Sequence, residues 1–358
     1  MSIAFNTKNM RLATFATIAA TTILIVVLAP KNMIAPQNIS GFVECSNTGT
    51  SNPTKRLQIV RDSCRWNFVK YTPSAYEKYW TDNIATLQAN VCEESNKQIA
   101  EINEWIKQSS SNDSPHDFPT SIFSQFTFQN ECTGEVSTDY IEPLAGLTRS
   151  PMFCLTNNDS DLVNKNYLVV SWNVSKKLSS LAGHYVPKAY YFDMGASLYD
   201  SGAGGPSQSW FVETYESRGL VWDGIFAWEA MSQSPGEVWG KLPARLKPIY
   251  HWYNVPVSPE PGHSDNALDY IRRITRPEDF VLVKLDIDTT PVEEALVGQI
   301  LASDELLGLV DEFYFEHHVN ILPMHQYWGT QSAQQTLADT YSIFATLRAK
   351  GIVAHAWV

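Results

Sequence analysis

One stretch decides the fold of this chain: Ala189-Tyr190-Tyr191-Phe192-Asp193-Met194-Gly195-Ala196-Ser197. It is an apolar, aromatic run that ends in a carboxylate, and Ile225-Phe226-Ala227-Trp228-Glu229 repeats the pattern. A buried parallel strand shows this pattern when its carboxyl end opens onto a ligand crevice. We therefore predict two strands of an α/β domain, with Asp193 and Glu229 at its ligand-binding edge.

Strands and helices alternate through the rest of this domain, which we place at residues 185–358. Further strands are expected at 249–255, 280–288, 310–316 and 352–358, and helices at 207–218, 235–246, 266–274, 291–303 and 334–350. This regular alternation predicts a doubly wound, mostly parallel sheet with right-handed crossovers.

Polar residues follow the strands of this predicted sheet, where α/β folds bind their ligands. Glu229 can accept hydrogen bonds from the two hydroxyls of a ribose, and Gly195 allows a backbone to approach a ligand closely. The distance along the chain from Asp193 to Glu229 exceeds the usual ~20 residues, which an inserted segment at 199–206 explains in part. The complete set is Asp193, Gly195, Glu229, Asn254, Asp286, Asp288, Glu316, His317 and His318.

The amino terminus carries an uncharged segment at 12–29, preceded by Lys8 and Arg11 and followed by Pro30. Its length is about that of a bilayer span, so it predicts an uncleaved signal anchor, with residues 1–11 cytosolic and the bulk of the chain in the lumen of the endoplasmic reticulum or Golgi. A cleaved signal peptide is the alternative. Residues 30–60 are predicted to be a stem, and glycosylation sequons at Asn38, Asn112, Asn158 and Asn173 fit a lumenal glycoprotein.

All five cysteines, Cys45, Cys64, Cys92, Cys132 and Cys154, lie in the first half of the chain. This distribution predicts disulfides in an extension at 61–184, and Cys132 with Cys154 is the preferred pair. Apolar residues between Tyr76 and Lys107 recur at helical spacing, so the extension is expected to be helical, with a long helix over this range, broken near Glu93, that packs on the α/β domain.

Charge excludes one class of partner. The chain has 26 basic and 38 acidic residues, a formal net charge of −12, and no dense Lys/Arg cluster. A nucleic-acid-binding surface is therefore not expected.

Four motifs in this order resemble the FkbM-type S-adenosylmethionine-dependent methyltransferases, over residues 185–358. They are Phe192–Ser197, Phe226–Glu229, Val283–Asp288 and Phe313–Glu316. The resemblance implies a class I methyltransferase fold, with Asp193 and Gly195 near the methionine part of the donor and Glu229 on its ribose. Ala196, Ser197 and Asn254 are also predicted to bind the donor. The resemblance also implies an acceptor hydroxyl on a sugar or related compound.

The chain departs from the family pattern at two of these motifs. Where the family usually has a second glycine after the first motif, this chain has Tyr199 and the insertion. Where the family usually has Asp-Val-Glu-Gly, it has Asp286-Ile287-Asp288-Thr289. Both departures concern the predicted pocket rather than the fold.

Methyl transfer to a hydroxyl needs in-line positioning and removal of a proton, by a carboxylate, by a histidine or with the help of a metal. We predict Asp286, Asp288 and His317 as catalytic residues. Asp286, Asp288, Glu316 and His318 are predicted ligands of a divalent metal ion, although their spacing is not diagnostic. The alternative for the two histidines is that one packs in the core and the other caps a strand end.

Several other side chains have open roles. Lys284 is expected to neutralise neighbouring carboxylates. Arg149, with Glu142 nearby, either reaches the site or forms an ordinary surface salt bridge. His325 and Trp328 are candidates for lining an acceptor pocket.

The leading functional hypothesis is a membrane-anchored lumenal methyltransferase that uses S-adenosylmethionine and modifies a hydroxyl of a glycan or glycoconjugate. A second hypothesis is a methyltransferase-like binding module that has lost catalysis. A third is a type II glycosyltransferase that uses a nucleotide sugar, favoured by Asp286 and Asp288 as a metal-binding pair.

Overall fold

The computed structural model describes residues 66–109, 118–147, 149–155, 158–170, 185–202, 204–322, 325–328 and 334–358. These residues belong to the second of the two compact units of the chain, Lys55–Val358. The predicted anchor, the predicted stem and the sequons at Asn38, Asn112 and Asn173 lie outside the described residues. Within the described residues, no helix combines the length and the apolar character needed to cross a bilayer.

The extension contains a small antiparallel sheet that the sequence analysis did not predict. Its strands, in the order β1-β2-β3, are β1 Trp66–Thr72, β2 Ser124–Asn130 and β3 Val136–Ile141. Phe126, Phe128 and Ile141 are buried on one face, where they pack against Val353 of the α/β domain. Alternation of apolar and polar residues in β2 is the usual signal of a half-buried strand.

The predicted long helix of the extension is present as three shorter helices. These are α1 Ala75–Leu87, α2 Val91–Asn96 and α3 Ile99–Ser109; a four-residue helix, α4 Asp159–Leu162, follows later. Ser74 caps α1 by accepting a hydrogen bond from the amide of Glu77. Trp80, Ile84 and Leu87 form the buried face of α1, so the extension packs on the rest of the protein as expected.

The α/β domain contains a six-stranded sheet in which every neighbouring pair is parallel. The strand order is β6-β5-β4-β7-β8-β9. These strands are β4 Ala189–Met194, β5 Gly224–Trp228, β6 Tyr250–Tyr253, β7 Phe280–Leu285, β8 Glu312–Phe315 and β9 Val353–Ala356. The α/β prediction is confirmed, and the strand order is compatible with a Rossmann-like sheet.

The helices between these strands follow the sequence pattern with local differences. They are α5 Ser207–Glu216, α6 Pro235–Lys241, α7 Ala267–Ile274, α8 Thr290–Leu301, α9 Asp304–Leu309, α10 His325–Trp328 and α11 Leu337–Ala349. Helix α6 ends earlier than predicted because Leu242, which precedes Pro243, is extended.

The predicted disulfide between Cys132 and Cys154 is wrong. Cys154 is bonded to Cys92, with the two Cα atoms 5.0 Å apart. Cys92 lies in α2, and the short helical turn Pro151–Cys154 packs against that helix. Cys132 lies in the turn after β2 and forms a different disulfide. The packing of the extension, which the spacing of cysteines does not reveal, therefore decides the pairing.

A buried ionic network joins the extension to the sheet. Arg348 of α11 donates to the Glu77 carboxylate and to the Glu142 carbonyl, both at 3.0 Å. His355 of β9 lies between Glu142, at 2.7 Å, and Glu312, at 2.9 Å. Burial would lower the pKa of His355, but the two carboxylates outweigh it and raise the pKa to about 9.

This network predicts a pH dependence of stability. Because the folded pKa of His355 lies above the unfolded value near 6.5, its stabilisation is complete below about pH 6.5 and is lost as the pH rises through 9. We expect the unfolding free energy of the wild type to fall by about 3 kcal/mol between these pH values because of His355. In His355→Gln this contribution to the fall should be absent. Urea unfolding at a series of pH values measures it, with the exposed His263→Gln as control; equal pH slopes in wild type and His355→Gln would contradict the prediction.

Candidate functional site

A cleft of about 830 Å³ lies at the carboxyl ends of the sheet strands, a size typical of small-molecule sites. The cleft includes the carboxyl ends of the adjacent strands β4 and β7, which are the point at which the strand order reverses. Four parts of the chain contribute much of its wall. They are the strand-end loops (Gly195, Ser197, Glu229, Asp286, Asp288, Glu316), the insertion (Gly202, Gly204, Gly205), the extension (Arg149, Leu162, Val163) and the segment after β9 (Trp357, Val358).

Glu229 is the fixed acid on the β5 side of the cleft. Its Oε2 accepts a hydrogen bond of 2.8 Å from the Ser197 amide, and its Oε1 accepts one of 2.6 Å from the Met231 amide. The residue is 8% exposed and lines the cleft. Each oxygen of a carboxylate can accept two hydrogen bonds, so Glu229 can accept further bonds from ligand hydroxyls.

Gly195 is required for contact between two strand-end loops. Its φ is +88°, and a Cβ atom at this position would lie 1.7 Å from the carbonyl oxygen of Asp286. The sequence pattern predicts that this glycine allows close approach of a ligand. Although Gly195 lines the cleft, its tightest approach is to the backbone after β7.

Asp193 and Lys284 form a buried pair at the cleft wall, which Lys284 lines. Lys284 Nζ lies 3.3 Å from both Asp193 Oδ1 and Asp286 Oδ2, and it donates a 2.6 Å hydrogen bond to the Gly195 carbonyl. Burial raises the pKa of Asp193 despite the opposing effect of Lys284. Lys284 thus neutralises neighbouring carboxylates as expected, whereas Asp193 does not line the cleft.

Two other predicted donor-site residues also lie off the cleft wall. Asn254 donates to the carbonyls of Glu229 and Met231 and accepts from the Gln233 amide, so its side chain holds the turn after β5. Ala196 is buried, and its amide donates to the Trp228 carbonyl.

Asp286 follows β7 and lines the half of the cleft formed by the ends of β7 and β8, which we call the β8 side. Its Oδ2 accepts a 3.2 Å hydrogen bond from Trp357 Nε1, in addition to its contact with Lys284. Burial raises the pKa of Asp286 to about 7; Lys284 opposes this shift, and Glu316 and Asp288 add to it.

Glu316 is surrounded by donors. Arg149 and Trp328 Nε1 both donate to its Oε1, the latter at 3.2 Å, while His318 Nε2 lies 3.3 Å from its Oε2. Burial opposes ionisation, but His318 and Arg149 outweigh it and lower the pKa of Glu316 to about 2. Arg149 therefore reaches the site, while Glu142 belongs to the buried network.

The two histidines after β8 have different surroundings. His317 is buried, and its Nδ1 pairs with Thr340 Oγ1 at 2.8 Å. Burial lowers the pKa of His317 to about 4, so this ring is neutral near pH 7. His317 also does not line the cleft. His318 lies directly behind Asp288 and Glu316 and contacts both.

Several wall residues were not identified from the sequence. Trp357 follows β9 and lines the cleft, as do Leu162 and Val163 of the extension. Lys165, which does not line the cleft, donates a 2.7 Å hydrogen bond to the carbonyl of the wall residue Gly204. The Lys165 ammonium also lies 4.9 Å from the centre of the Trp357 ring. The insertion is thus one wall of the cleft. Of the two candidates for an acceptor pocket, Trp328 lines the cleft, and exposed His325 pairs instead with Asn320.

No family model matches this chain, and neither a curated protein nor a solved structure matches it. The chemistry of the cleft is therefore the basis for assigning a function.

Proposed function

We propose that this protein is an S-adenosylmethionine-dependent methyltransferase that modifies a hydroxyl group. One observation carries the proposal: two backbone amides fix the carboxylate of Glu229 at the end of β5, on the cleft wall. In parallel α/β sheets an acid near this position commonly accepts hydrogen bonds from a ribose. The Gly195–Ser197 loop lies beside it.

The rest of the β5 side fits a nucleoside. Met231, Pro256 and Val257 line this side of the cleft, next to Glu229. An apolar surface beside a hydroxyl-binding acid is the arrangement that an adenosine requires. A bound sulfonium donor supplies an electrophilic methyl group.

The β8 side offers a base for the acceptor. Asp286 lines the cleft, and burial raises its pKa to about 7, so it can accept a proton from a hydroxyl near neutral pH. Trp357 and Lys284 hold its Oδ2. The predicted membrane anchor, the predicted lumenal location and the sequons support a glycan or glycoconjugate as the acceptor.

Donor binding provides the direct test. We expect the purified full-length protein to bind S-adenosylmethionine and S-adenosylhomocysteine in isothermal titration calorimetry. Glu229→Gln should weaken both affinities about 10- to 100-fold, because it removes a charged hydrogen-bond acceptor worth about 1.5–3 kcal/mol. Glu213→Gln, an exposed acid on α5, is the matched control and should bind like wild type.

The outcomes separate the three hypotheses. Failure of the folded protein to bind either compound would rule out the methyltransferase proposal. Metal-dependent binding of a nucleotide sugar would instead support the glycosyltransferase, for which the acid pair at the end of β7 is the favouring feature. Intact cellular function in Glu229→Ala would support a binding module without catalysis.

A further inference from the structure

Three potential metal ligands meet on the β8 side of the cleft. Asp288 follows β7, and Glu316 and His318 follow the neighbouring strand β8. Their nearest donor atoms all lie within 4.8 Å of one another. His318 Nε2 is 3.3 Å from Glu316 Oε2 and 3.6 Å from Asp288 Oδ1.

These separations suit coordination of one ion. Ligand bonds of about 2.0–2.2 Å place adjacent donor atoms roughly 3–3.5 Å apart around a tetrahedral or octahedral ion. The contacts of His318 with both carboxylates are close to this spacing. Only a small movement of the Asp288 side chain, which is 81% exposed, would be needed to complete the triangle.

Outer contacts orient the two buried ligands. Arg149 and Trp328 occupy Oε1 of Glu316, which leaves Oε2 directed at His318. The His318 ring also packs against Trp328, with the ring centres 5.3 Å apart. Metal-binding carboxylates and imidazoles are usually held by such second contacts.

The local charge also favours a cation. Glu293, which is buried, interacts electrostatically with Asp288, Glu316 and His318. Arg149 faces Glu316, whereas Lys284 is engaged by Asp193 and Asp286. Carboxylates thus outnumber cationic side chains in this part of the cleft.

We propose that Asp288, Glu316 and His318 bind a divalent transition-metal ion, with Mn²⁺ as the first candidate. One imidazole with two carboxylates suits Mn²⁺ or Zn²⁺ better than Ca²⁺, which prefers oxygen ligands alone. Asp286 is not a member of this cluster, and Lys284 and Trp357 hold its Oδ2.

Three protein ligands leave open positions on the ion, as in catalytic metal sites. Asp288 and Glu316 line the cleft, so these positions would face it, and an oxygen atom of the acceptor would complete the coordination. This last step rests on the proposed function, whereas binding of the ion itself does not.

The test is a titration of the metal-free, full-length protein with Mn²⁺, followed by electron paramagnetic resonance and calorimetry without a methyl donor. We expect one Mn²⁺ per chain with micromolar affinity. Asp288→Asn and His318→Gln should each weaken binding at least tenfold, while Asp82→Asn, an exposed acid on α1, should leave it unchanged. Because Asp288 is exposed, its variant should fold normally.

No binding of Mn²⁺ or Zn²⁺ at millimolar concentration would overturn the inference, as would equal affinities in wild type and Asp288→Asn. Destabilisation of His318→Gln without any metal binding by the wild type would instead identify His318 as an ion-pair partner of Glu316. Donor binding by a protein that binds no metal would reject only this inference. Metal binding without donor binding would reject only the methyltransferase proposal.

Discussion

Gly195→Ala is expected to destabilise the protein by about 3–5 kcal/mol and to abolish ligand binding at the cleft. The new Cβ would lie 1.7 Å from the Asp286 carbonyl oxygen and 2.7 Å from its carbonyl carbon. These are backbone atoms directly after the buried strand β7, so they cannot move aside cheaply. The φ of +88° adds strain for any residue with a side chain.

Urea unfolding and calorimetry with S-adenosylhomocysteine measure the two effects. Gly298→Ala is the matched control, because this glycine lies within α8 and a Cβ there meets no atom within 4 Å. We expect Gly298→Ala to be neutral or to stabilise the helix by up to about 1 kcal/mol. A Gly195→Ala protein as stable as Gly298→Ala would show that the two strand-end loops are not in the described contact.

Arg348→Met is expected to destabilise the protein by about 3–5 kcal/mol, because it leaves buried carboxylates without their cation. Arg348 is fully buried and contacts Tyr71, Glu77 and Glu142 of the extension. Its loss should weaken the attachment of the extension to the sheet before the sheet itself unfolds. Limited proteolysis and urea unfolding measure this, since the extension should become the first region to be cleaved.

Two further variants make this test specific. Arg273→Met removes an exposed charge from α7 and should change stability by less than about 0.5 kcal/mol. Adding Glu77→Gln to Arg348→Met should recover part of the loss, because the uncompensated charge is removed. No recovery, together with an unchanged cleavage pattern, would mean that packing rather than charge accounts for the role of Arg348.

The sequence predicted the sheet well because its strands are short, apolar and bounded by acids. Tyr191, Phe192 and Asp193 show this pattern, and all three are buried in β4. The antiparallel sheet of the extension was missed although β2 alternates apolar and polar residues. Strand β1 pairs with β2 across a long separation along the chain, which local spacing does not reveal, whereas β2 and β3 are joined by a short turn.

The candidate site was predicted in part. Glu229, Asp286, Asp288 and Glu316 were assigned from their positions after strands, and they meet at the cleft. The same rule also selected Asp193, Asn254 and His317, whose side chains face internal partners. Residue type indicates what a side chain can do, whereas only tertiary packing decides whether it faces a ligand.

The Cys92–Cys154 disulfide has a practical consequence for biochemical work on this protein. The bond closes the segment between Cys92 and Cys154, and this segment carries Arg149. Arg149 lies only a few residues before Cys154, and its side chain reaches Glu316. Thiol reductants added to purification or assay buffers would free this segment at one end. Loss of ligand binding in such buffers would then report on the oxidation state of the sample, and oxidising expression conditions are the appropriate starting point.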